Sequence, residues 1–178
     1  MSDRQDDRIV RFYRGDGRDD ASRTIEDVWR FSTDDLEVTH DFIQWLFPLR
    51  DRSAFVRGAP TLTDNTVAVF RDSAELRDRL RRSLDLMLAF YGLRRDVDRS
   101  GDALIVAAPE LAIRGPHWWA SGNHNHRRLT RMIRSLAILG LEPEARAVRD
   151  CLDRVRRENE TGISDETAQY WARAVASR

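Results

Sequence analysis

The sequence predicts an all-α domain of six or seven helices, and three observations carry that expectation. Apolar residues recur at helical intervals over most of the chain. Ser, Thr or Asn stands ahead of these stretches, and Gly or Pro closes them. A length of 178 residues, 41% hydrophobic and 34% charged, suits one domain with one core.

Residues 1–8 are polar and charged, and are expected to be a disordered N-terminus; residues 9–178 are left for the domain. Thr24–Phe31 (TIEDVWRF) suits a short helix. Ser32 or Thr33 caps a clearer one over Asp34–Phe47, with Asp34, Asp35 and Glu37 near the positive end of its dipole and Pro48 as its stop. Leu36, Ile43 and Phe47 form one apolar stripe, and Val38, Phe42 and Trp45 a second. A helix apolar on two sides belongs at the centre of the bundle.

Residues 50–63 read as a loop punctuated by Gly58 and Pro60, and Asp64–Arg71 as a short helix. Ser73 caps the next helix, which carries Leu76, Leu80, Leu84, Met87, Leu88 and Tyr91 and ends at Gly92. Residues 94–122 are mixed, with a short strand at Ala103–Ala107 that has no evident partner. Asn123 or Asn125 caps a helix that runs to Leu139 and stops at Gly140. Pro143 opens another, to about Glu160, and Ser164 caps the last, through Ala168, Trp171 and Val175.

Composition excludes several chemistries. All 30 basic residues are Arg, so Schiff-base catalysis, a lysine base and a P-loop lysine are absent. Neither GxSxG, GxGxxG nor a Walker motif occurs, and no catalytic residue or cofactor is expected. The formal net charge of zero argues against nucleic acid as a general partner. No apolar run reaches the roughly 18 residues of a membrane span, and a lone Cys151 cannot close an internal disulfide, so a cytoplasmic setting is expected. No metal is expected either: His124 and His126 fall on different helix faces, and HExxH and paired CxxC are missing. Asp96–Gly101 imitates the start of a calcium loop, but the twelfth position is Ala107, so a polar turn is expected.

Several segments carry a family resemblance. His40-Asp41-Phe42-Ile43-Gln44-Trp45-Leu46-Phe47-Pro48 resembles the H-x-[YF]-I-Q-W-L-F-P hallmark of the opioid growth factor receptor conserved domain. Leu86–Gly92 (LMLAFYG) resembles its LMLxFYG segment, and His124-Asn125, Arg128 and Thr130-Arg131 resemble its HN-x-x-R-x-T-R helix. Phe12–Arg14 and Ile25–Asp27 match weaker upstream signatures. The resemblance implies a helical, receptor-like domain, its animal members being described as nuclear or perinuclear receptors for an enkephalin peptide.

Two groups of residues are candidates for binding. His40 and Gln44, four apart, share a face of the expected central helix with Leu36 and Phe47; they either read a ligand or tie the helix to its neighbours. The second group lies in Leu111–Leu141, which holds five Arg and no acid. Trp118, Trp119, His124, Asn125, Arg128 and Arg131 there suit an anionic small molecule or a peptide, near a helix N-terminus that already favours anions. The competing expectation is internal pairing with Asp19–Asp41, where eight acids stand against two Arg. The leading function is thus a non-enzymatic, receptor-like binding domain. The alternatives are an enzyme using His40 or His124 as acid–base group, and a nucleic-acid binder using the basic helix face.

Overall fold

A computed structural model describes residues 3–53, 56 and 58–177. They fall into two compact units, Met1–Ser83 and Leu84–Arg178, and the division lies within one helix.

In the first unit, α1 (Asp3–Arg14) begins inside the stretch expected to be frayed. It buries Ile9, Phe12 and Tyr13, and packs on α5 (Asp64–Asp72). The Tyr13 ring meets Phe70 edge on at 5.0 Å, and its hydroxyl donates to the Leu46 carbonyl. Two short helices follow, each opened by a reciprocal capping box. Thr24 and Asp27 open α2 (Ile25–Trp29), and Ser32 and Asp35 open α3 (Thr33–Val38).

The continuous central helix expected over Asp34–Phe47 does not form. α3 stops at Val38, the chain is extended at Thr39, and α4 (Ile43–Leu46) is a single turn. Val38, required by the second stripe, is 72% exposed. Every residue from Phe42 to Leu49 is buried, so the segment is enclosed on all sides, as expected, but not as a helix face. An enclosed non-helical backbone needs partners for its carbonyls. Tyr13 supplies one at Leu46, and Gln44 ties the turn just ahead of the segment: with its amide oriented by its neighbours, its Nε2 donates to the carbonyls of His40 (3.1 Å) and Asp41 (3.2 Å). The expected loop at 50–63 is non-helical where described, with Ala54, Phe55 and Arg57 outside the described residues. It is tied back by a bond from the Leu62 N–H to the Leu49 carbonyl at 2.9 Å.

Helix α6 (Ala74–Tyr91) buries Leu76, Leu80, Leu84, Met87, Leu88 and Tyr91, the expected stripe. Gly92 ends it at φ +77°, where a Cβ would also meet the Leu111 Cα at 2.6 Å. A hairpin follows, which corrects the all-α expectation to a mostly helical fold with one small sheet. β1 (Leu93–Val97) pairs antiparallel with β2 (Ala103–Ala107), Leu93 opposite Ala107 and Val97 opposite Ala103. The strand expected at Ala103–Ala107 is there; its partner hid in a charged stretch. The calcium-like segment is the hairpin turn, in which Asp98 Oδ1 accepts from the N–H groups of Ser100 (2.8 Å) and Asp102 (2.9 Å).

Four helices complete the second unit: α7 (Leu111–Trp118), α8 (His124–Ile138), α9 (Glu142–Glu158) and α10 (Asp165–Val175). Asn123 caps α8 and Ser164 caps α10, while Pro143 lies in the first turn of α9. α8, α9 and α10 pack on one another, and β2 lies on α9. Leu129, Met132, Ile133, Leu136, Val148, Leu152 and Trp171 are buried here. With α7 and the shorter pieces, ten helical segments stand among the described residues where six or seven were expected.

Candidate functional site

Aromatic rings, one amide and one guanidinium converge in the second unit around the start of α8. The cap sets the geometry: Asn123 Oδ1 accepts from the Asn125 N–H at 2.9 Å, and Asn123 Nδ2 donates to the His117 carbonyl at 2.9 Å. The first bond opens α8 and the second fixes it to α7. Asn125 is therefore not a cap but a buried residue of the first turn, 1% exposed.

Its side chain has a defined task. Asn125 Oδ1 accepts from the Tyr91 hydroxyl and from Arg128 Nη1, each at 3.3 Å. Arg128 is 6% exposed, one turn along the same face. Trp118 sits beside Tyr91, ring to ring at 5.6 Å, and its indole N–H donates to the Tyr91 carbonyl at 3.1 Å. His126 leaves the helix on another side. Its Nε2 donates to the Trp118 carbonyl at 2.9 Å, and its ring meets Trp171 edge on at 5.9 Å. Burial holds its pKa below the usual range; the bond to Trp118 opposes that shift. The neutral imidazole is the form built into the fold.

Trp119 is a separate feature of the same region. Its ring lies where a side chain at position 115 would be, so that a Cβ at Gly115 would overlap it. Its carbonyl accepts from the Gly162 N–H at 2.9 Å. Its indole N–H is buried and has no acceptor, the only such side-chain atom among the described residues.

The structure thus brings together Trp118, Asn125 and Arg128, with Trp119 next along the chain from Trp118. His124 is exposed and Arg131 half-buried. His124 and His126 do fall on different faces, one exposed and one buried. Tyr91, His126 and Trp171 belong to the cluster but are not among the binding candidates that the sequence offers. His40 and Gln44 belong to the first unit: His40 is exposed, Gln44 is buried and satisfied by backbone, and the helix meant to align them is interrupted. Several acids of the Asp19–Asp41 stretch find partners close by. Arg23 bridges Asp19 (2.6 Å) and Asp41 (2.8 Å), Asp27 and Asp35 serve as caps, and Glu26 pairs with Arg79. No group of metal-ligating side chains occurs among the described residues, and no described helix is long and apolar enough to cross a membrane.

The family profile described as "Opioid growth factor receptor (OGFr) conserved region" matches residues 3–178. The chain is similar to the human protein named opioid growth factor receptor, 38% identical over 160 residues, which are 86% of this chain and 23% of the human one. The mouse protein of that name is 42% identical over 121 residues, 66% of this chain and 18% of its own. Opioid growth factor receptor-like protein 1 of Xenopus tropicalis is 34% identical over 121 residues, 66% of this chain and 23% of its own. The chain spans less than a quarter of the length of these relatives. No solved structure matches.

Proposed function

The chain belongs to the family of the opioid growth factor receptor conserved region, and from that premise we propose that it is a receptor-like binding domain. Its ligand in this reading is a peptide or small molecule that carries a carboxylate, and its site lies at Trp119 and the arginine-rich start of α8. One observation carries the reading, the buried indole N–H of Trp119 that lacks an acceptor. Leaving such a donor unmatched costs about 1–3 kcal/mol, a cost a ligand oxygen removes on binding. The five Arg between Leu111 and Leu141, a stretch of sequence that holds no acid, support an anionic ligand. The names of the relatives make them receptors for a growth factor and support a peptide over a metabolite.

Tryptophan fluorescence tests this. Short peptides ending in a free carboxylate are titrated into the wild type and Trp119→Phe, with C-terminally amidated peptides as controls. A saturable change that needs the carboxylate and vanishes in Trp119→Phe supports the reading. Equal responses from both proteins, or from both peptide forms, overturn it.

A further inference from the structure

We propose that the cleft at the end of α1 binds a phosphomonoester group through Arg8, Arg11 and Arg18. The cleft measures about 310 Å³ and is lined by these three residues with Asp16 and Gly17. It lies within the first unit and does not depend on the ligand proposed above.

The local sequence builds it. Gly15, at φ +88°, turns the chain back at the end of α1. The N–H groups of Asp16 (3.1 Å) and Gly17 (2.9 Å) then both donate to the Arg11 carbonyl. A Cβ at Gly17 would stand 2.7 Å from the Phe12 nitrogen, so only glycine lets this loop lie against the helix. Arg8 and Arg11, three apart on α1, are thereby set beside Arg18.

Each guanidinium is held in place. Arg8 stacks on Trp45 at 4.9 Å and pairs with Asp20. Arg11 Nη2 donates to the Asp16 carbonyl at 3.4 Å. Arg18 Nη1 donates to the Ser22 carbonyl at 2.7 Å, and Ser22 is the one non-glycine at positive φ among the described residues. Backbone held in that region is strained for a residue with a Cβ and gathers at functional sites. Here it presents the carbonyl that anchors Arg18. A guanidinium has five N–H donors, and the single tethers on Arg8 and Arg18 use one each.

The charge selects the ligand class. The lining holds three guanidiniums and one carboxylate, Asp16, and Arg8 also pairs with Asp20. Planar forks match phosphoryl oxygens in pairs, and a phosphomonoester brings a charge of about −1.5 to −2 against the single charge of a carboxylate. At about 30 Å³ per water, the cleft has room for more than a bare phosphate, so an ester-bearing group fits better than the free ion.

Calorimetry and phosphorus NMR on the full chain test the proposal with phosphoserine, inorganic phosphate and serine. Phosphoserine is expected to bind saturably, with an affinity that serine, which offers only a carboxylate, does not reach. Arg18→Ala is expected to weaken binding about tenfold or more and Arg18→Lys less, because Lys keeps the charge and loses the fork. Arg30→Ala, outside the cleft, is expected to leave it unchanged. Arg18 is exposed, and circular dichroism of Arg18→Ala checks that the fold is kept. Absence of saturable binding, or binding unaltered in Arg18→Ala and Arg11→Ala alike, overturns the site. Inorganic phosphate binding as tightly as phosphoserine overturns the ester assignment.

Discussion

The indole N–H of Trp118, at the end of α7, donates to the carbonyl of Tyr91, at the end of α6. The last carbonyls of a helix lack partners within it, and here a ring that is 1% exposed supplies one. The same ring stands edge to face with Tyr91, whose hydroxyl reaches Asn125. One tryptophan thus joins the ends of two helices and the first turn of a third.

Trp118→Phe removes the donor while keeping an aromatic ring. The stranded carbonyl is expected to lower stability by about 1–3 kcal/mol. Trp118→Ala adds a cavity and is expected to reach about 3–5 kcal/mol. Urea unfolding of the three proteins checks the order, and equal stabilities of wild type and Trp118→Phe would show that the bond contributes nothing.

Asn125→Leu keeps the volume and deletes the acceptor shared by Tyr91 and Arg128. Two buried donors then lose a partner, one of them charged, and a loss of about 2–3 kcal/mol is expected. Asn123→Ala, which removes the cap of α8, is expected to cost about 1 kcal/mol. Thermal melts that rank Asn123→Ala as the more damaging change would contradict the buried network.

His126 sets a pH dependence. Its pKa in the fold lies below the ordinary 6.5, so the unfolded chain takes up the proton first as pH falls. The contribution is complete above about 6.5 and is lost between that value and the lowered one. Wild-type stability is expected to fall between pH 7.5 and 5.5 more steeply than that of His126→Gln. Parallel curves for the two proteins would remove His126 as the source.

Gly115→Ala reverses an ordinary rule. Inside a helix this change commonly stabilises by about 1 kcal/mol. At Gly115 the new methyl group overlaps the Trp119 ring, and overpacking of this kind costs about 1–3 kcal/mol. Net destabilisation is expected, with a red shift of fluorescence as Trp119 is pushed outward. A stabilised variant with unchanged emission would mean that the ring has room to move.

Much of the helical part was legible from its punctuation. Ser73, Asn123, Pro143 and Ser164 mark the starts of α6, α8, α9 and α10, because side-chain caps and the fixed φ of proline act locally and show in the sequence. Around His40 the predicted helix is interrupted, because apolar spacing cannot separate a buried helix from a buried irregular segment. What decides there is Gln44, whose amide replaces helical bonds to the carbonyls of His40 and Asp41. β1 was hidden by Arg94, Arg95 and Asp96, exposed on a strand with little apolar alternation. α7 was hidden by Gly115 and Pro116, which read as breakers although one is needed by Trp119. In the site, spacing separated His124 from His126, but the partners of Asn125 and Trp118 lie on other elements that spacing does not reach.

Cys151 is 2% exposed on α9, and burial pushes its thiol up to about 11. The single sulfhydryl in the chain is therefore silent toward reagents that need a thiolate at neutral pH. That silence makes the molecule a blank slate for labelling. Ser100→Cys, exposed on the hairpin turn, supplies the one reactive handle, without a background to subtract.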